Sequence, residues 1–315
     1  MNKKAGQKTS LIIPAYNEEA GLPKTVEEAL PFVSEIIIID DGSKDNTYKN
    51  ALGLKSKYKK IKIIHHEKNL GKVAALREGV KRASGDLIVF TDADFTHPAE
   101  YIPLFIKELN KGADLALGNR ITLGIKNIPI FNRFGNVLFS FLISYIGCGK
   151  IEDGQTGYRA FRKKDFTSLD VWAQSLEYET KMTVNALKKG YKVVEIPIVY
   201  RPRIGKSKLH PIRDGYRMIK SIISIAYRQT SLIAKFVILP SFVFTILGLT
   251  FGFISLYEKI KYTKLLHEYY PLISVFLLLI AIQLFSIGFI LDHFSHKLDR
   301  ILEKTKDNDK KTFQN

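Results

Sequence analysis

The sequence predicts an α/β domain with a mostly parallel sheet, followed by an apolar two-helix segment. Two observations carry this prediction. Short Ile/Leu/Val runs alternate with helical patterns over residues 1–200, the order of a parallel sheet joined by crossover helices. Two uncharged stretches then follow, 22 residues over Phe236–Tyr257 and 23 over Tyr269–Leu291. Each reaches the roughly 20 residues that cross a hydrocarbon core.

The strands come first. Ser10–Ile13, Glu35–Ile39, Ile61–Ile64, Leu87–Phe90 and Leu115–Leu117 are nearly continuous aliphatic runs, the signature of strands buried on both faces. Helical spacing is found over Glu18–Leu30, Lys44–Lys57, Lys72–Ala83 and Ala99–Asn110. Phe131–Ile146 is an apolar helix studded with Asn132, Arg133 and Asn136. Over Ile212–Tyr227, apolar residues recur at helical spacing with Arg213, Arg217 and Lys220 between them, which predicts a helix lying in a membrane interface. Residues 1–210, 211–231, 232–292 and 293–315 are therefore read as catalytic or binding domain, interface helix, membrane pair and charged, fraying tail.

The chain carries 48 Lys+Arg against 31 Asp+Glu, a net charge of +17. That excess favours anionic partners. Nine of the basic residues lie between Arg201 and Lys235, with Asp214 as the one acid. Charge concentrated beside apolar spans is explained by a lipid bilayer, so no nucleic-acid partner is expected. The positive-inside rule places the termini and the large domain in the cytoplasm. The stretch Met1–Thr9 has no apolar run, so no cleavable leader is expected. A single cysteine excludes an intrachain disulfide.

Ligands in open α/β sheets sit beyond the carboxyl ends of the strands. The polar residues cluster there: Pro14-Ala15-Tyr16-Asn17-Glu18, Asp40-Asp41-Gly42-Ser43-Lys44-Asp45, Asn69-Leu70-Gly71-Lys72, Asp92-Ala93-Asp94 and Gly118-Asn119-Arg120. Two carboxylates two residues apart can share a hard divalent cation, Mg²⁺ or Mn²⁺, completed by substrate phosphates. Asp40 and Asp41 suit a base or ribose, and the helix opening after Asn69 could face phosphate. His65 and His66 read as ordinary strand-end residues. No Gly-x-Gly-x-x-Gly is present.

With Asn132-Arg133, Thr156-Gly157-Tyr158-Arg159 and Arg203-Ile204-Gly205-Lys206-Ser207-Lys208-Leu209 added, this ordered set over residues 9–210 resembles the family 2 glycosyltransferases of the GT-A fold. More narrowly it resembles the dolichyl- or polyprenyl-phosphate hexose synthases. The resemblance implies a GT-A nucleotide-sugar-binding domain and an inverting transfer of hexose from a nucleotide-diphosphate sugar to a polyprenyl or dolichyl phosphate. It implies nucleotide-sugar contacts at Pro14, Ala15, Tyr16, Glu18, Asp41, Lys72, Asp92, Ala93 and Asp94, and metal at Asp92 and Asp94. Arg120, Arg133, Arg203 and Lys208 would bind the acceptor phosphate, and Asp92, Asp94, Arg120 and Arg133 would carry catalysis. Arg159 and Arg201 are further candidate charge screens, and Glu179 a supporting acid. The family often has Gln where Thr96 stands. The processive synthases' Gln-x-x-Arg-Trp is absent. A membrane transferase for another lipid or glycan acceptor, or a non-catalytic nucleotide-sugar-binding subunit, remains the alternative. Self-association through the membrane pair is left open.

Overall fold

The computed structural model describes residues 7–124, 130–147, 149–166, 169, 178–205, 220, 224 and 230–312. The chain divides into two compact units, Met1–Ile225 and Ala226–Asn315. The expected interface helix over Ile212–Tyr227 lies almost wholly outside the described residues.

The first unit is built on a seven-stranded sheet in the order β3-β2-β1-β4-β6-β5-β7. Its strands are β1 Thr9–Ala15, β2 Glu35–Asp40, β3 Ile61–His65, β4 Leu87–Phe90, β5 Leu115–Asn119, β6 Arg159–Arg162 and β7 Val193–Pro197. The first four are parallel to one another, as the crossover order requires, whereas β6 runs antiparallel to both β4 and β5. Helices α1 Leu22–Ala29, α2 Thr47–Lys57, α3 Lys72–Arg82 and α4 Ile102–Asn110 connect the strands. Further along come the short α5 Arg120–Gly124, then α6 Ile130–Gly147 and α7 Tyr178–Lys188.

Every residue of β2, β4 and β5 is buried, so these aliphatic runs pack on both faces of the sheet. Leu11, Ile13, Ile36, Ile38, Val89 and Phe105 belong to one cluster with Leu22 and Val26 of α1. The parallel register pairs Ala15 with Asp40 and Asp40 with His65. One rim of the sheet thus collects the polar strand ends.

Helix α1 starts at Leu22, four residues later than its pattern suggests. Gly21 precedes it because nothing larger fits: a Cβ there would stand 2.6 Å from the Ala93 carbonyl oxygen and 2.9 Å from Asp94 Cα. Pro23 occupies the first turn, where its missing N–H costs no helical bond.

The second unit pairs α8 Leu232–Tyr262 with α9 Tyr270–Thr312. Two helical stretches, Leu232–Tyr262 and Tyr270–Asp292, are long and apolar enough to cross a membrane. Most of their large side chains face outward, Phe236 being 80% exposed and Leu272 71%. Small residues hold the pair together. Ser274 Oγ donates to the Gly248 carbonyl at 2.7 Å, and a Cβ at Gly248 would press on Leu278 at 2.8 Å. At the turn, Glu258 accepts from the backbone N–H groups of Leu266 and His267. The segment from Asp292, expected to fray, continues the helix to Thr312; its Lys, Leu and Glu residues are good helix formers.

Candidate active site

The rim carries two pairs of aspartates with different partners. The first pair ends β2. Asp40 is fully buried, and its Oδ2 lies 2.7 Å from His65 Nδ1. The His65 ring stacks on Tyr48 at 4.2 Å. Asp41 Oδ1 lies 2.8 Å from His66 Nδ1 and accepts from the Leu70 N–H at 2.9 Å. Asp41 Oδ2 accepts from the Gly71 N–H at 2.8 Å. Asp41 therefore fixes the turn that launches α3 at Lys72. The two histidines are integral to this corner, which their place at a strand end did not reveal.

The loop after β1 is zipped to the loop after β2. Asn17, at φ 51°, donates its N–H to Ser43 Oγ at 2.9 Å and accepts from the Lys44 N–H at 2.7 Å. The Glu18 N–H donates to Thr47 Oγ1 at 2.7 Å. Pro14, Ala15 and Tyr16 lead into this loop, so the expected nucleotide contacts share one corner.

The second pair follows β4. Lys72 Nζ lies 2.6 Å from Asp92 Oδ1 and 3.0 Å from Glu179 Oε1 on α7. Burial alone would raise the Asp92 carboxyl, but Lys72, with His97 and Arg120 adding to it, holds it well below the usual range. Burial would likewise lower the Lys72 ammonium, and Asp92 and Glu179 hold it well above its ordinary value. Asp94 Oδ2 lies 3.1 Å from Arg203 Nη1, while Arg203 Nη2 also donates to Glu18. The Arg203 Nε–H, buried, has no hydrogen-bond partner among the described residues. Asp94 Oδ1 accepts from Thr96 Oγ1 at 2.7 Å. Gly157 makes room for Asp92, since a Cβ there would meet the Asp92 Oδ2 at 2.7 Å.

The connecting turn places Phe95 at φ 65°, a left-handed conformation that costs a non-glycine residue roughly 1–2 kcal/mol. The adjoining His97 is a residue that sequence reasoning passed over. Its buried ring stacks on Tyr158 at 5.0 Å, its Nδ1 lies 3.2 Å from Thr91 Oγ1, and its Nε2 has no partner among the described residues. Burial lowers this imidazole below its ordinary value, against the pull of Asp92 and Asp94.

Three arginines named as charge screens have other partners. Arg120 forms a two-pronged pair with Asp153, at 2.7 and 2.8 Å, and its guanidinium lies 5.5 Å from the Tyr200 ring. Asp153 is itself placed by Glu195 on β7, which accepts its N–H at 2.7 Å. Arg159 is fully buried and donates to the carbonyls of Thr156, Gly154 and Glu179, so it fastens the 154–159 turn to α7 and is closed to substrate. Arg201 is forked onto Glu28. Arg133 falls in α6 but its side chain is not among those described, and Lys208 lies outside the described residues.

Asp92 and Asp94 offer the hard carboxylate oxygens that Mg²⁺ or Mn²⁺ takes, and substrate oxygens would have to complete the shell. Among the described residues no group of three His, Cys, Asp or Glu converges. Each carboxylate already faces a cation, so the corner is built to hold positive charge. The residues fit a divalent ion shared with a diphosphate.

The pattern of glycosyl transferase family 2 matches residues 10–169, half of the chain. The chain belongs to this family. A dolichyl-phosphate hexose transferase of Haloferax volcanii is 29% identical to this glycosyltransferase over 70% of the chain and 94% of the relative. A dolichol-phosphate mannosyltransferase of Pyrococcus furiosus is 33% identical over 68% of the chain and 64% of the relative. Among solved structures, glucosyl-3-phosphoglycerate synthase from Mycobacterium tuberculosis, in complex with Mn²⁺ and uridine diphosphate, superposes with a TM-score of 0.57. It covers 71% of this glycosyltransferase and 81% of that chain at 22% identity, a likeness of fold.

Proposed function

We propose that this glycosyltransferase moves a hexose from a nucleotide-diphosphate sugar, of the GDP-mannose or UDP-glucose type, to a polyprenyl or dolichyl monophosphate at the cytoplasmic membrane face. The observation that carries this reading is the corner where Asp92 and Asp94 meet Lys72 and Arg203, one short loop from the nucleotide corner at Asp41. The names of the relatives and the two apolar helices support a lipid-linked acceptor.

An acceptor phosphate is largely dianionic at neutral pH, its second pKa being about 6. One of its oxygens attacks the anomeric carbon as the bond from that carbon to the diphosphate breaks. The nucleoside diphosphate leaves and the configuration inverts. No side chain need remove a proton from the nucleophile, unlike transfer to a hydroxyl. The difficulty is bringing two anions together. A divalent ion at Asp92 and Asp94 would supply charge to the diphosphate. Arg203, Arg133 and Lys208 would hold the acceptor phosphate, a task suited to guanidinium forks. Arg120, braced by Asp153, holds a fixed positive field beside Asp92. Residues 1–210 would form the catalytic domain, 211–231 the interface helix, 232–292 the membrane anchor and 293–315 a cytoplasmic tail.

The test uses the intact protein, Mn²⁺, a panel of radiolabelled nucleotide sugars, and polyprenyl phosphate beside the dephosphorylated polyprenol. Label should enter the lipid phase with the phosphate only. Equal transfer to the polyprenol would overturn the acceptor assignment.

A further inference from the structure

Glu28, on the face of α1 toward the turn after β4, has no role in the chemistry above, yet its carboxylate is fully engaged. Its Oε1 accepts from the Ala99 N–H at 3.2 Å and from Arg201 Nη2 at 3.0 Å, and its Oε2 accepts from Arg201 Nη1 at 2.6 Å. The Arg201 guanidinium then lies over the Phe95 ring, 4.6 Å from its centre. Phe95 is the residue held at positive φ between Asp94 and Thr96.

The backbone joins the same pieces. The Arg201 N–H donates to the Thr96 carbonyl at 3.0 Å, and the Ile204 N–H donates to the Asp94 carbonyl at 3.1 Å. Thr25 Oγ1, one turn before Glu28 on α1, reaches the Ala93 carbonyl at 3.3 Å. Helix α1, the turn over residues 93–99 and the segment over 200–204 are therefore clasped together, with Arg203 delivered to Asp94 by that segment.

We propose that Glu28 and Arg201 are positioning residues. They form a clasp that holds Phe95 in its left-handed turn and thereby fixes Asp94 for a divalent ion shared with the diphosphate. Arg201 turns its fork to Glu28 and its face to Phe95, which assigns it to the turn rather than to a phosphate. A fork and a flat cation are both needed, which lysine cannot supply. The clasp rests on the functional reading above.

The experiment measures two affinities on the intact protein by calorimetry: nucleoside diphosphate at saturating Mn²⁺, and nucleoside monophosphate in EDTA. Arg201→Ala and Glu28→Ala should each weaken the first about ten-fold, the scale of one charge-assisted pair. The second should stay unchanged. Arg201→Lys should behave like Arg201→Ala, and the double variant should lose less than the sum of the two single changes, because both remove the same Glu28–Arg201 pair. Glu28→Gln keeps an acceptor for Ala99 and serves if Glu28→Ala fails to fold. In turnover, kcat should fall with the acceptor KM unchanged. A raised acceptor KM with intact diphosphate affinity would make Arg201 a phosphate ligand and overturn the clasp. So would equal weakening of both nucleotides, the mark of general unfolding, or no change in either. A wild-type protein whose diphosphate affinity ignores Mn²⁺ would instead refute the metal reading, and the clasp with it.

Discussion

The two aspartate pairs of the rim look alike in sequence and differ in what neutralises them. Asp40 and Asp41 are held by histidines and by backbone N–H groups that are fixed by the chain's path. Asp92 and Asp94 are held by the ends of Lys72 and Arg203, long side chains able to swing away. The first arrangement is architecture, because losing a partner means rebuilding a loop. The second is exchangeable, because an incoming cation can take the place of the ammonium or guanidinium. Arg203 displaced from Asp94 in this way would be left with a charge to offer an acceptor phosphate.

The largest expected effect breaks the exchangeable pair. Asp94→Asn should lower kcat by about 10²–10³, the scale of removing one preorganised electrostatic group, with the melting temperature little changed. Lipid-phase product formation and a thermal melt check it together. The next effect has two signs. Arg203→Ala should lower acceptor kcat/KM about ten- to a hundred-fold, and should tighten Mn²⁺ binding to the nucleotide-free protein, since it removes the competing cation. Weaker Mn²⁺ binding in that variant would mean that Arg203 supports the ion.

The architectural pair responds differently. Asp41→Ala leaves the Leu70 and Gly71 N–H groups and His66 without their acceptor, and should cost about 1–3 kcal/mol of stability, read from denaturant melts. If the loss appeared only in turnover, the two pairs would not differ as described.

The smallest effect lies at the opposite end of β2. Glu35 accepts from Ser10 and from the Ser84 N–H, and lies 2.6 Å from Lys62 Nζ. Burial would raise its carboxyl, but Lys62 and the hydrogen bonds from Ser10 and Ser84 hold it down at about 2. A folded value below the unfolded one gives stability that is present above about pH 4.5 and is lost as pH falls toward 2. Glu35→Gln should flatten the stability profile across that window.

Sequence and structure agree best where hydrophobicity decides. The first five strands were legible because Ile, Leu and Val runs such as Glu35–Ile39 have no other place to go than a buried sheet. Strands β6 and β7 were not. Arg159-Ala-Phe-Arg162 begins and ends on charge, and only the carbonyls of Gly154, Thr156 and Glu179, brought in by folding, make a buried Arg159 tolerable. The strand-end clusters pointed to the rim without alignment. Which charge meets which did not follow, because Arg120 and Asp153, or Arg201 and Glu28, are far apart in the chain and adjacent only in the fold.

The difference between the pairs is tested most directly by Mn²⁺ titration of the intact protein followed by electron paramagnetic resonance, with and without nucleoside diphosphate. Protein-bound Mn²⁺ should strengthen with nucleotide, be lost in Asp94→Asn and survive in Asp41→Asn. Binding that persists in Asp94→Asn, or that depends on Asp41 instead, would contradict an ion held by the exchangeable pair.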